Sequence, residues 1–85
     1  MRTVSFHQDA FQQYSEWAKT DKKLFERLHK LIVEVARNPF EGIGKPEPLK
    51  AELRGCWSRR INDEHRLVYK VTAEQVIIIA CKYHY

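Results

Sequence analysis

The sequence predicts an α+β fold in which a hairpin of two helices packs on a small, mainly antiparallel β-sheet. Two segments in the first half of the chain carry apolar residues at spacings of three and four, which is typical of amphipathic helices. Three short segments in the second half are rich in β-branched and aromatic residues and are separated by turn-forming residues, which indicates strands. Because one β-prone segment precedes the helices, the predicted order is β-α-α-β-β-β.

The first strand and the first helix follow from residues 3–20. Residues 3–6 are short and β-prone. Apolar side chains then recur at helical spacing, which predicts a first helix from about His7 to Lys19. The residues expected on its apolar face are Ala10, Phe11, Tyr14, Trp17 and Ala18.

The second helix is expected to begin after Asp21, whose side chain can act as the N-cap, and to run to about Arg37. It ends at Asn38-Pro39, because a proline disfavours helical geometry at the preceding residue and has no N–H to donate. The short link between the two helices predicts an antiparallel hairpin. The apolar face of the second helix comprises Leu24, Leu28, Leu31, Ile32 and Val35.

Residues 40–50 contain two glycines and two prolines, so we expect an irregular loop there. Three strands follow, with turns at residues 62–63 and 72–75. Connections this short require antiparallel neighbours. The predicted strands are Cys56–Ile61, His65–Val71 and Val76–Tyr83.

Length and composition limit what the chain can be. Eighty-five residues, 44% hydrophobic and 31% charged, predict one folded domain over residues 1–85. No apolar run approaches the roughly 20 residues that cross a bilayer, so we expect a cytoplasmic protein with no membrane partner. The net charge of +4 favours a polyanionic partner without requiring one. Cys56 and Cys81 lack the spacing of a redox motif or of a disulfide scaffold, which predicts free structural thiols.

Three groups in the second half of the chain are suited to phosphodiester chemistry. Cleaving RNA through its own 2′-hydroxyl needs a base for that proton, an acid for the departing 5′-oxygen, and cations for the charge that builds on phosphorus. Glu47 in the proline-bounded loop and His84 near the end of the chain supply a carboxylate and an imidazole. Arginines can neutralise phosphoryl oxygens, so this chemistry needs no metal and no cofactor. The basic candidates on the two adjacent strands are Arg59, Arg60, His65 and Arg66.

Each of these features also has a simpler structural explanation. An arginine on a strand usually lies on a solvated face or in a salt bridge, and Glu47 alone is unremarkable. The glycine-containing loop does not match a phosphate-binding motif, and the four histidines lack metal-ligand spacing, so no metal site is predicted. Trp57 and Tyr69 are better explained as core residues, whereas Tyr83 and Tyr85 are better suited to stacking on bases.

Four segments taken together resemble the YoeB toxins of the wider RelE-like superfamily. The resemblance covers essentially the whole chain, and it depends on the combination, because no single segment would suffice. The segments are the loop Pro39-Phe40-Glu41-Gly42-Ile43-Gly44-Lys45-Pro46-Glu47-Pro48-Leu49, the strand Trp57-Ser58-Arg59-Arg60-Ile61, the strand Glu64-His65-Arg66-Leu67-Val68-Tyr69, and the closing Tyr83-His84-Tyr85.

The resemblance implies a RelE-like microbial RNase fold and a role for three residues in RNA cleavage. The glutamate of Lys-Pro-Glu-Pro, here Glu47, is the general base in that family. The arginine of Glu-His-Arg-Leu, here Arg66, stabilises the transition state. The penultimate histidine, here His84, is the general acid that protonates the leaving oxygen.

The resemblance also implies RNA contacts and partners. Tyr85 is expected to help place the substrate, and Lys50 and Arg60 stand where family members keep basic residues near the RNA. The implied activity is that of a metal-independent mRNA endoribonuclease in the A site of the 70S ribosome, which inhibits translation. The implied partners are a cognate YefM-like antitoxin, the ribosome with its mRNA, and a second copy of the chain in a homodimer.

Two other functions are compatible with parts of the sequence. One is a ParE-like toxin of the same superfamily, which binds a protein target without cutting RNA; such members lack this combination of glutamate, arginine and terminal histidine. The other is a basic RNA-binding module without catalysis. A carboxylate at Glu47, beside the path of a phosphate, disfavours such a module because it would repel the ligand.

Overall fold

In the computed structural model, which describes residues 1–83, one strand is followed by two helices and then by four strands, and the predicted α+β fold class is confirmed. A short 3₁₀ turn, Ala51–Leu53, is the remaining regular element of this part of the chain. The helices and strands are β1 (Thr3–Phe6), α1 (Gln8–Thr20), α2 (Lys22–Arg37), β2 (Glu47–Pro48), β3 (Cys56–Arg60), β4 (Arg66–Val71) and β5 (Gln75–Ala80).

The five strands form one sheet in the order β1-β5-β4-β3-β2. The pairs β3/β4 and β4/β5 are antiparallel, as the short connections predict, and β2 also pairs antiparallel with β3. Strand β1 pairs in parallel with β5, Thr3 lying opposite Gln75. The first strand of the chain therefore closes the sheet beside the last one, so β5 is an interior strand.

The helix bounds agree with the sequence pattern to within a residue or two, whereas two features of the strands differ. The predicted strand Val76–Tyr83 is wrong at its end, because β5 stops at Ala80 and the chain turns at Lys82 and Tyr83. Strand β2 was not expected, since it lies in the loop predicted to be irregular. It is only two residues long, and Pro48 has no N–H for a further ladder bond, which suits an edge position.

The hydrophobic core lies between the helix hairpin and one face of the sheet. Asp21 caps α2 as predicted, accepting a hydrogen bond from the Leu24 N–H at 3.1 Å. The whole predicted apolar face of α2 is buried, but α1 departs from its pattern: Phe11 is 56% exposed and Ala18 is also exposed. The residues of the core cluster are Ala10, Leu24, Leu28, Leu31, Ile32, Val35, Ile61, Leu67, Tyr69, Val76, Ile78 and Cys81.

The two aromatic residues predicted to fill the core do so. Tyr69 is fully buried, and Trp57 is partly buried against the core cluster. Both cysteines are free thiols, as predicted, with Cys81 buried and Cys56 partly exposed. No helix within residues 1–83 has both the length and the apolar character needed to cross a membrane.

Candidate active site

A small cavity lies on the sheet face that points away from the helices, and strand register explains which residues line it. Glu47 of β2 is paired with Ser58 of β3, and Arg60 of β3 is paired with Arg66 of β4. Directly paired residues project to the same face, and Ser58 and Arg60 are two positions apart on one strand. These four side chains therefore share a face. With Lys45 they line a cavity of about 90 Å³, which we call the outer cavity.

The outer cavity unites three of the residues proposed from the sequence, Glu47, Arg60 and Arg66. Lys45 and Ser58 were not singled out. Ser58 is 7% exposed, and its presence in the cavity follows from its pairing with Glu47, which could not be foreseen without β2. Lys45 could have been found from its place two residues before Glu47 in a loop of restricted freedom.

Carbonyl groups of the turn before β4 orient the guanidinium of Arg66. Its Nη1 donates to the carbonyl oxygens of Asn62 at 2.7 Å and of His65 at 3.1 Å. The side chain of Arg60 is less restrained. Its Nη1 lies 3.9 Å from the exposed carboxylate of Asp63, which is too long for a direct hydrogen bond. Such an exposed pair contributes little to stability. Arg66 is thus held in place, while Arg60 is free to turn toward an anion.

Lys50 lies in a second cavity next to the first. That cavity, of about 430 Å³, is lined by residues 47–50. Glu47 lines both cavities, whereas Lys50 lines only the second one. The structure therefore brings Lys50 near the site without placing it in the outer cavity.

Two of the basic candidates, Arg59 and His65, are not in the outer cavity. Arg59 follows Ser58 and precedes Arg60, so strand alternation turns it toward the core, where it is fully buried. His65 is 6% exposed and packs against the Trp17 ring with 4.9 Å between ring centroids. Both belong to the basic set that the sequence suggests for neutralising phosphoryl charge, and the structure gives them contacts inside the fold instead.

Arg59 fixes the loop that leads to Glu47. Its guanidinium donates to the carbonyl oxygens of Asn38, of Glu41 at 2.9 Å and of Ile43 at 3.2 Å. Its Nε also donates to the Tyr69 hydroxyl at 3.2 Å. The planar guanidinium has five N–H donors in a fixed geometry, which suits several carbonyl groups that converge on it. These acceptors satisfy the buried charge of Arg59.

The next residue of β3 holds the same loop through its backbone. The Arg60 N–H donates to the Gly44 carbonyl at 2.7 Å. Gly44 has φ +82°, and a Cβ built there would lie 2.9 Å from Leu31 Cδ2. Only glycine fits this position without a shift of its neighbours. The loop therefore enters β2 along a defined path, which sets the direction of Glu47.

The chain also passes beside Arg66 after it leaves β5. The Arg66 N–H donates to the Tyr83 carbonyl at 2.8 Å. The Lys82 ammonium lies 5.2 Å from the centre of the Tyr83 ring and 5.7 Å from that of Trp17, both within cation–π distance. His84 and Tyr85, the proposed acid and the proposed stacking residue, lie outside the described residues.

The electrostatic character of the outer cavity suits a phosphodiester. Lys45, Arg60 and Arg66 supply three positive charges around the single carboxylate of Glu47. Cations can bind the phosphoryl oxygens while a carboxylate accepts a proton from a neighbouring hydroxyl. Within residues 1–83 no three His, Cys, Asp or Glu side chains are gathered as a metal site would need.

Comparison with known proteins identifies the family that the sequence motifs indicated. A family profile described as "YoeB-like toxin of bacterial type II toxin-antitoxin system" matches residues 6–85. The "Toxin YoeB" of Streptomyces coelicolor is 50% identical over 82 residues, which is 96% of this chain and 98% of the relative.

Solved structures agree with this assignment. The YoeB dimer from Staphylococcus aureus has a TM-score of 0.91 and 46% identity, with 99% of this chain and 98% of that chain covered. A YoeB-YefM complex from the same organism has a TM-score of 0.90 and 44% identity, with 100% of this chain and 99% of that chain covered. The similarity extends over fold, sequence and length alike, and this chain belongs to the YoeB family of toxins of bacterial type II toxin-antitoxin systems.

Proposed function

We propose that this toxin is a ribosome-dependent mRNA endoribonuclease, which cleaves mRNA in the ribosomal A site without a metal and so inhibits translation. The observation that carries the proposal is the outer cavity, where Glu47 lies among Lys45, Arg60 and Arg66 on one face of the sheet. A carboxylate among cations is the arrangement that cleavage through a 2′-hydroxyl requires.

In the proposed reaction the Glu47 carboxylate removes the proton of a 2′-hydroxyl. The 2′-oxygen then attacks the adjacent phosphorus, and the bond from phosphorus to the 5′-oxygen breaks. His84 gives its proton to that departing oxygen. The products are one RNA fragment that ends in a 2′,3′-cyclic phosphate and another that begins with a 5′-hydroxyl.

The cations have the role of stabilising the charge that develops on the phosphoryl oxygens. Arg66 is the best placed for this, because carbonyl groups already hold its guanidinium before substrate arrives. Arg60 and Lys45 face the same cavity and add positive charge. Lys50, in the neighbouring cavity, is suited to the next phosphate along the strand. We assign Tyr85 to stacking on a base.

The proposed partners follow from the family and from the charge of the surface. A relative from Staphylococcus aureus has been solved as a YoeB-YefM complex and another as a YoeB dimer. We propose a YefM-like antitoxin for this chain as well, and a homodimer as its free form. An acidic antitoxin segment would neutralise the cations of the outer cavity and so block RNA.

The proposal is tested by mapping mRNA ends in a reconstituted translation reaction. The wild-type protein should cut the message in the A site and leave the two kinds of ends described above. Glu47→Gln removes the base with almost no change in shape, and we expect the single-turnover rate to fall by about 10² to 10⁴. The loss of single-turnover rate in His84→Gln should lie within the same range. The matched control is Glu52→Gln, an exposed carboxylate outside both cavities, which should cut at the wild-type rate.

Three results would contradict the proposal in different ways. Wild-type activity in Glu47→Gln would mean that the base lies elsewhere. Inhibition of DNA gyrase by a protein that cuts no message would favour the ParE-like alternative. Binding of RNA without any cleavage would favour the non-catalytic RNA-binding module.

A further inference from the structure

His65 makes a hydrogen bond that the proposed reaction does not explain. It is 6% exposed in the turn before β4, and its Nδ1 lies 2.8 Å from the backbone nitrogen of Tyr83. A peptide N–H can only donate, so Nδ1 is the acceptor and must carry a lone pair. The other ring nitrogen, Nε2, lies 3.8 Å from the exposed Glu64 carboxylate, which is too long for a direct hydrogen bond.

Tyr83 is therefore held from both sides of its backbone. Its N–H donates to His65, and its carbonyl accepts the N–H of Arg66 at 2.8 Å. Its φ of +64° lies in the left-handed region, which is sterically disfavoured for a residue with a Cβ. Two hydrogen bonds from consecutive residues of the β4 entry give a physical reason why the backbone keeps this conformation.

The side chain of His65 is itself well fixed. Its ring packs edge-on against Trp17, whose Nε1 donates to the Cys81 carbonyl at 2.9 Å. The same tryptophan thus contacts the imidazole and restrains the chain two residues before Tyr83. A side chain locked by packing can direct a neighbouring segment more accurately than one free to turn.

We propose that His65 is a positioning residue for the acid: by accepting the Tyr83 N–H at Nδ1, it sets the direction in which the chain continues into His84. The inference rests on the proposed function, because that function gives His84 its role. Arg66 has two roles in this arrangement. Its side chain lines the outer cavity, and its backbone N–H donates to the Tyr83 carbonyl. Residues 65–66 thus hold Tyr83, the residue that precedes the proposed acid, and also supply the proposed transition-state cation.

Substitutions at position 65 can separate the hydrogen bond from the packing. His65→Asn places an amide oxygen close to where Nδ1 lies and can still accept the Tyr83 N–H. His65→Leu fills similar space without an acceptor. His29→Leu is the matched control, because it removes an exposed imidazole whose Nδ1 pairs with Tyr14 at 2.9 Å between α1 and α2.

Two measurements are made on each folded variant. Hydrogen exchange of the Tyr83 amide, followed by NMR, reports the hydrogen bond directly. Single-turnover cleavage on translating ribosomes gives the maximal rate and the toxin concentration at half-maximal rate. We expect His65→Leu to exchange the Tyr83 amide at least tenfold faster and to lose about tenfold to a hundredfold in maximal rate, because misplaced catalytic groups lose rate steeply. The toxin concentration at which His65→Leu reaches its half-maximal rate should stay within about twofold of the wild-type value. In both measurements, His65→Asn and His29→Leu should resemble the wild type.

Several outcomes would overturn the inference. Equal losses of rate in His65→Asn and His65→Leu would mean that the ring acts through packing. A wild-type maximal rate in His65→Leu, despite faster exchange of the Tyr83 amide, would mean that the hydrogen bond does not position the acid. If the wild-type protein cuts no message, the proposed function fails and the positioning role with it, while the amide exchange still shows whether His65 holds Tyr83.

Discussion

At the scale of single residues, Tyr69 joins the core to the loop that leads to Glu47. Its hydroxyl donates to the Pro39 carbonyl at 2.7 Å and accepts from Arg59 Nε at 3.2 Å. Burial raises the pKa of Tyr69, although the hydrogen bond and the charge of Arg59 act in the opposite direction. The neutral phenol is therefore the form that the folded protein favours.

Tyr69→Phe should lower the free energy of unfolding by about 1 to 3 kcal/mol, because it leaves buried polar groups of Arg59 and Pro39 without their partner. Denaturant unfolding measures the loss. Tyr14→Phe is the matched control, since its hydroxyl pairs with His29 in an exposed position and should lose less than about 1 kcal/mol. Equal losses in the two variants would contradict this role for Tyr69.

Cys81 should be an unreactive thiol that destabilises the fold at high pH. Its burial raises the pKa from 9.0 to about 12, and its Sγ lies 3.6 Å from the Ala10 carbonyl. Because the pKa is higher in the folded state, this contribution to stability is complete below about pH 9 and is lost as the pH rises toward 12. A thiol reagent at pH 8 should modify the partly exposed Cys56 first and Cys81 only on unfolding.

A thiol titration with and without denaturant checks the order of reaction, and unfolding measured between pH 8 and 11 checks the loss of stability. Cys81→Ala should show a weaker decline over that range than the wild type. Modification of both thiols at the same rate in the folded protein would contradict the burial of Cys81.

Among single residues, the composition of the outer cavity was predictable only in part from the sequence. Glu47, Arg60 and Arg66 were proposed from the sequence, and the structure gathers them in the outer cavity. Arg59 is chemically identical to Arg60 and adjacent to it, yet it points into the core. Which of two neighbouring arginines faces outward depends on strand register, and composition carries no information about register.

At the scale of elements, Gly44 in the loop before β2 and Gly55 in the loop before β3 differ in how closely their surroundings pack. Both have positive φ, +82° at Gly44 and +94° at Gly55. A Cβ at Gly44 would lie 2.9 Å from Leu31 Cδ2 and 3.2 Å from the Arg60 carbonyl oxygen, whereas a Cβ at Gly55 would meet nothing within 4 Å. Backbone strain is common to both positions, and crowding is confined to Gly44.

Gly55→Ala should therefore lower the free energy of unfolding by about 1 to 2 kcal/mol through backbone strain alone. Gly44→Ala should lower it by about 1 to 3 kcal/mol more, because the methyl group also meets Leu31 and the Arg60 carbonyl. Thermal or denaturant unfolding of both variants supplies the comparison. A smaller loss in Gly44→Ala than in Gly55→Ala would contradict the close fit of the loop on β3.

The elements themselves were predictable to different degrees. Both helices follow from periodic apolar residues and an N-cap at Asp21, and these signals are local. The end of β5 was placed too late, because residues 81–83 continue a strand-like composition while tertiary contacts turn the chain there. Strand β2 was not predictable from local sequence, because its two residues form a strand only through their pairing with β3.

At the scale of the whole molecule, the net charge of +4 and the cations of the outer cavity should govern RNA affinity. Binding to single-stranded RNA weakens with salt, and the slope of log K against log[salt] is about −0.7 for each phosphate contact. Arg60→Gln should make that slope less negative by about 0.7. Fluorescence anisotropy at several salt concentrations measures it.

The control for this measurement is Lys30→Gln, which removes an exposed charge from α2, on the other side of the sheet from the outer cavity. Its slope should equal that of the wild type. Glu47→Gln should bind RNA more tightly than the wild type, since it removes a negative charge next to the proposed phosphate path. Identical slopes for Arg60→Gln and Lys30→Gln would show that Arg60 does not contact phosphate.

The parallel pair of β1 and β5 has a consequence for how the molecule forms. Thr3 and Gln75 pair across almost the whole described chain, and β5 also carries the core residues Val76 and Ile78. The helix hairpin and the β2-β3-β4 meander consist of local contacts, which form quickly, whereas joining such distant residues is slow. While the chain is being synthesised, β1 has no strand to pair with until β5 has emerged. The sheet therefore closes only after nearly all of residues 1–83 have been made, so assembly of the fold follows synthesis of the chain rather than accompanying it.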